Sequence, residues 1–211
     1  KKGVEDKSQP SLPGPSEGAT PLIGIYLAPN TTSLTLENIN LIDPAFKNIP
    51  PVMNPSALKA VKEKMASGKG TVIVFFGDSI TAQSASDFRD GKGSFVDRFA
   101  TYLEEQGRWK VVVTPAATVV PASDGQVVIV KAGVGGNDTR MALARIDRDV
   151  LAHRPDLVVV MFGVNDENRR GNGNAVPPDE YRKNILAIIE KVRQAGGDVL
   201  LMTTSMKNLR W

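Results

Sequence analysis

Apolar residues in this chain come in two patterns. Short unbroken runs (Thr71–Phe76, Trp109–Val113, Gln126–Lys131, Leu157–Phe162 and Val199–Met202) show no alternation of polar and apolar positions. Such runs predict strands covered on both faces. Between them lie segments with apolar positions three or four apart. Leu58, Val61 and Met65 follow Asn54-Pro55, a helix start with proline at its first position, and Gly68 is the stop. Phe95, Phe99 and Leu103 share a face within Ser94–Gln106, stopped by Gly107. Leu143, Ile146 and Val150 align in Thr139–Leu151, and Ile185, Ile188, Ile189 and Val192 align in Pro178–Ala195 before Gly196-Gly197. Strands alternating with helices predict a three-layer α/β/α domain, a doubly wound, mostly parallel sheet with helices on both faces. The stretch between Val113 and Gln126 is expected to include a hairpin.

Upstream the pattern fails. Lys1–Ser16 holds three prolines, two glycines, three serines and five charges. Residues 1–18 therefore read as a disordered leader. Residues 19–51 have short interrupted apolar runs, Leu22–Leu27 and the Leu34/Leu36 alternation, which suggest a strand or two in a small β segment. The main domain is assigned to 52–211.

Composition narrows the function classes. Lys and Arg number 26 against 23 Asp and Glu, so the pI near 9.1 comes from a net charge of only +3. The basic residues are scattered without interleaved aromatics, which argues against a nucleic-acid partner. There is no cysteine, so no disulfide, thiolate metal site or cysteine nucleophile. No apolar run is long enough to span a membrane.

In a doubly wound sheet, functional groups gather beyond the C-terminal ends of strands. Three such ends carry unusual letters. The first is Gly77-Asp78-Ser79-Ile80, where either Asp78 or Ser79 suits a helix N-cap. The second is Gly133-Val134-Gly135-Gly136-Asn137-Asp138-Thr139, readable as a tight turn or as bare backbone able to approach an oxyanion. A dinucleotide fingerprint is not met, because Asp138 stands where the third glycine belongs and Asp156 lies at the wrong end of its strand. The third is Gly163-Val164-Asn165-Asp166, readable as an Asx-turn.

Taken together, these three blocks resemble the SGNH, or GDSL-like, hydrolases, over Asn54 to Trp211. The resemblance implies a flavodoxin-like fold and ester hydrolysis through an acyl-serine, with no metal and no cofactor. It implies Ser79 as nucleophile, with the amides of Ser79 and Gly136 and the carboxamide of Asn165 as oxyanion donors. Asp78 and Asp166 would be supporting residues. The implied substrate is a small ester or acylated carbohydrate. A carbohydrate O-acetylesterase exported from a bacterium comes first, with a lysophospholipase or short-chain lipase-type esterase as the alternative. Arg169 and Arg170, in the polar loop after Asp166, are candidates for substrate contact.

The family's base, a histidine in an Asp-x-x-His block, has no counterpart here. His153 is the single histidine. It precedes its strand, so five residues at about 3.3 Å each separate it from the catalytic edge, roughly 16 Å. It reads as structural. The block is expected beyond Trp211, since no closing helix follows the last strand. The other accounts are a second chain that carries it, or a carbohydrate-binding pseudoenzyme that does without it.

Overall fold

The computed structural model describes residues 58–84, 87, 91, 93–168 and 176–203, together with the backbone of two short strands, 23–25 and 39–41. The expected leader, the Leu34/Leu36 alternation, the Asn54-Pro55 helix start and the Arg169–Arg170 pair lie outside them. The chain divides into two units, Lys1–Asn54 and Pro55–Trp211. In the first, β1 (Ile23–Ile25) pairs antiparallel with β2 (Ile39–Leu41).

The second unit is a five-stranded sheet between two helical layers. Its strands are β3 (Thr71–Gly77), β4 (Lys110–Pro115), β5 (Gln126–Gly133), β6 (Leu157–Met161) and β7 (Asp198–Leu201). They lie in the order β4-β5-β3-β6-β7, all parallel. The chain thus enters at the middle of the sheet as β3, passes to the edge as β4, returns as β5 between the two, then crosses β3 to build β6 and β7 outward on the other side. Where the chain switches from one side of a central strand to the other, a crevice opens at the C-terminal ends of the strands.

Successive side chains of β3 serve opposite layers, which is why the strand has no alternation. Val72, Val74 and Phe76 pack with Ala142 and Ile146 of α4 (Thr139–Asp149) and Ile185, Ile188 and Val192 of α5 (Pro178–Gln194). Ile73 and Phe75 pack with Val61 of α1 (Lys59–Ala66) and Val96, Ala100 and Leu103 of α3 (Phe95–Glu105). All residues of β3 and β6 are buried, while the edge strands β4 and β7 are partly exposed.

Local chemistry sets the helix ends. The Ser94 side chain accepts from Asp97 N–H while the Asp97 carboxylate accepts from Ser94 N–H, a reciprocal capping box that starts α3. Gly107 and Gly196, at φ +65° and +88°, turn the chain out of α3 and α5 in a conformation that costs other residues energy.

The expected hairpin between β4 and β5 is absent. The two strands are parallel, so residues 116–125 must return the length of the sheet, and they do so without a strand. Ala116, Val120 and Ala122 pack against the α4–α5 side of the core, where a crossover helix would otherwise lie.

Candidate active site at the C-terminal edge of the sheet

Register places the three unusual loops together. Gly77, the last residue of β3, pairs with Gly133 of β5 on one side and Met161 of β6 on the other. The loops that follow therefore leave the sheet at one level.

After β3 the chain makes one helical turn, α2 (Ser79–Ala82). Asp78 is its N-cap, with Oδ1 accepting from Ile80 N–H at 2.9 Å. The capping role thus falls to the aspartate, and Ser79 stands exposed at the first helical position. Asp78 is itself buried. Burial pushes its carboxyl above the usual carboxylate range; the Ile80 bond pulls it back and the charge of Asp166 pushes it up again.

After β5 the glycine loop passes beside Ser79. A Cβ built on Gly135 would lie 4.0 Å from the Ser79 Cβ, in van der Waals contact. Gly136 has φ +75°, and a side chain there would meet open space. Strain, not crowding, is what favours glycine at 136. Asp138 then caps α4, accepting from Met141 N–H at 3.0 Å.

After β6, Asn165 donates a carboxamide N–H to the carbonyl of Asn137 at 3.0 Å. A carboxamide has two N–H groups, so a second donor remains for another acceptor. Gly136 is therefore flanked by one residue that borders Ser79 and another that is bonded to Asn165. Asp166 is buried, and its Oδ1 accepts from Thr139 N–H at 3.0 Å and from the Thr139 hydroxyl. Asn184 of α5 donates to that hydroxyl at 3.0 Å, and Tyr181 donates to the Phe162 carbonyl at 3.1 Å. Burial and the Asp166 charge push the Tyr181 phenol up. The loops after β5 and β6 are thus pinned to each other and to α5.

His153 sits apart from these loops. It ends a 3₁₀ turn (Leu151–His153) ahead of β6, is buried, and its Nε2 lies 3.0 Å from the Ala116 carbonyl. It lines a cleft with Lys64 of α1 and with Gly70, Val72 and Asp156 at the N-terminal ends of β3 and β6.

Several residues at this edge gave no signal as sequence. Gly135 was indistinguishable from its neighbours, and Thr139, Asn184 and Arg145 looked like ordinary helix positions. Only Arg145 had a clue. It lies three and four residues from Ala142 and Asp149, on a face that turns out to be buried.

A parallel α/β domain with a serine, a glycine loop and an asparagine at adjoining strand ends defines a class of hydrolase-type folds. The GDSL-like lipase/acylhydrolase family matches residues 75–210, and the chain belongs to that family. The uncharacterized lipoprotein YqeF of Bacillus subtilis (strain 168) is 33% identical over 132 residues, 62% of this chain and 47% of that protein. An acetylxylan esterase of Geobacillus stearothermophilus is 30% identical over 144 residues, 66% of this chain and 62% of that one. Among solved structures, the acetyl xylan esterase AlAXEase aligns at 29% identity with a TM-score of 0.47, covering 62% of this chain and 56% of its own. The chain spans about half to three-fifths of the length of these relatives. Among the described residues no helix is long and apolar enough to cross a membrane.

Proposed function

We propose that the protein is a serine ester hydrolase, acting on acetyl esters of a carbohydrate. Ser79 Oγ attacks the ester carbonyl carbon and gives its proton to a base. The tetrahedral oxyanion accepts hydrogen bonds from the amides of Ser79 and Gly136 and from the free N–H of Asn165. Collapse breaks the bond to the alcohol oxygen, which leaves with the proton. Water then attacks the acyl-serine by the same route, releasing acetate and restoring Ser79. Asp78 and Asp166 act as supports, one capping the turn that carries Ser79 and the other holding Thr139.

The observation that carries this reading is the position of the 135–137 segment. It has Ser79 against its first residue and Asn165 bonded to its last. Membership of a family of acylhydrolases supports ester chemistry, and the acetylxylan esterase relative supports an acetylated sugar. Arg169 and Arg170 are proposed to meet the sugar from the loop after Asp166. The YqeF relative, a lipoprotein, supports an exported protein. The base is proposed to be a histidine of an Asp-x-x-His block from outside these 211 residues, because His153 is committed to the Ala116 carbonyl.

That same commitment of His153 favours a second reading, a carbohydrate-binding protein without turnover. Acetate release from acetylated xylo-oligosaccharides, by protein made from the full reading frame and by its Ser79→Ala variant, separates the two. The hydrolase predicts a loss of about 10⁴-fold or more on substitution. Equal background rates, with oligosaccharide still bound, would select the binding protein. Preference for long acyl chains would move the substrate to the lipase-type alternative.

A further inference from the structure

Arg145 is a buried cation whose bonds do not run to one partner. Nη2 donates to the Gly77 carbonyl at 2.9 Å, and Nη1 donates to the Ala132 carbonyl at 2.9 Å and to Asp149 at 3.0 Å. Nε donates to the Asn137 side-chain oxygen at 2.7 Å. The guanidinium lies over the Phe76 ring, 4.6 Å from its centroid, and Phe76 meets Phe162 edge-on at 5.0 Å.

These partners form a pattern. Gly77 directly precedes Asp78 and Ser79, and its carbonyl also accepts from Val134 N–H at 3.1 Å. Ala132 is one residue before the glycine loop begins. Asn137 follows Gly136, and its own carbonyl holds Asn165. One planar group thus touches the end of β3 and both ends of the loop after β5, and reaches the loop after β6 through Asn137. Stability alone does not require this arrangement. Asp149 keeps a second cation in Arg148, whose Nε lies 2.6 Å away. An apolar side chain would satisfy the Phe76 contact.

We propose that Arg145 is the positioning residue that fixes the turn carrying Ser79 against the loop carrying Gly136 and, through Asn137, against Asn165. This rests on the reading of those three residues as nucleophile and oxyanion donors. Arginine is required because its rigid fork offers separate donors in one plane, whereas a lysine ammonium is a single point on a flexible stem. Misplacing reacting groups by about 1 Å costs on the order of 10²-fold in rate.

The test uses protein from the full reading frame as wild type, Arg145→Lys, Arg145→Ala and Asn137→Ala. Arg145→Lys is expected to lose about 10²-fold in kcat with KM little changed. Arg145→Ala is expected to recover part of its rate with added methylguanidinium and none with methylammonium. Asn137→Ala removes the Nε contact from a half-buried loop without touching the core, and is expected to lose roughly tenfold in kcat; it decides the matter if the Arg145 variants do not fold. Amide hydrogen exchange runs alongside. Ile80, whose N–H donates to Asp78 within the turn carrying Ser79, and Val134, whose N–H donates to the Gly77 carbonyl, lose protection in Arg145→Lys, while Ile188 in α5 keeps it.

Unchanged kcat with unchanged protection at Ile80 and Val134 would overturn the proposal. So would a uniform loss of protection reaching Ile188, which marks a residue of general stability. If even the wild type shows no Ser79-dependent turnover, the hydrolase reading fails, and the exchange pattern alone decides whether Arg145 positions these loops.

Discussion

The carboxamide of Asn165 bonds to the backbone carbonyl of Asn137 across the gap between β5 and β6, at 3.0 Å. One of its N–H groups holds the loop beside Gly136; the other is the donor that the proposed function assigns to the oxyanion. Replacing this side chain removes an anchor and a donor together. Asn165→Ala is expected to lower kcat by about 10²–10³-fold, the usual cost of one oxyanion donor, with KM little changed. Steady-state kinetics on a short acyl ester checks it; an equal rise in KM at constant kcat would mean that Asn165 binds substrate instead.

The bonds among Asp166, Thr139 and Asn184 are structural, and their loss is expected to appear as stability. Thr139→Val keeps the shape and removes the hydroxyl that bridges the Asp166 carboxylate and the Asn184 amide. The expected cost is about 1–3 kcal/mol, since buried partners are left short of a bond. Asn184→Ala alone is expected to cost about 1 kcal/mol. Because the two share one hydroxyl, the double variant should cost less than the sum of the singles. Urea denaturation of all four proteins measures this, and strict additivity would contradict the shared bond.

Asp97 gives the acid side of the stability profile a definite sign. Burial would raise its carboxyl, but bonds from Lys131, at 2.8 Å, and from Ser94 outweigh burial and hold it below the ordinary value. The folded chain therefore binds this proton more weakly than the unfolded chain does. Ionised Asp97 adds stability above the unfolded value of about 3.9, and the increment disappears as pH falls through the lower folded value. Asp97→Asn is expected to cost about 0.5–1 kcal/mol near pH 7, the scale of a partly exposed ion pair. The gap to wild type should close as pH falls below the lowered folded value. A gap that is constant with pH would show that the charge is not what matters.

The layout of the fold was largely legible in the sequence, because burial on both faces leaves a mark. Thr71–Phe76 and Leu157–Phe162 differ from the observed β3 and β6 by one residue each. Gly107 and Gly196 stop helices where a positive φ is needed. Position within the sheet was not legible. Val111, Val112 and Val113 look as apolar as Val158, Val159 and Val160, yet the first three form a partly exposed edge. Edge or centre depends on which strands pair, and no local pattern records that. The hairpin expectation failed for the same reason. At the site, the motifs fell at adjoining strand ends because register aligns Gly77, Gly133 and Met161. The choice of Asp78 over Ser79 as cap is made by the fold, since both residues suit the role. The reach of Arg145 stayed hidden because the strand-end partners it bridges, Gly77 and Ala132, are bonded through backbone carbonyls, which any sequence supplies.

The central claim is that Ser79 is a nucleophile facing preorganised donors. A fluorophosphonate, which forms a bond from its phosphorus to an activated serine oxygen and expels fluoride, probes that directly. Peptide mass mapping of protein made from the full reading frame should find one adduct, on the peptide holding Ser79, and none in Ser79→Ala. Labelling that misses Ser79, or that persists unchanged in Ser79→Ala, would contradict the account.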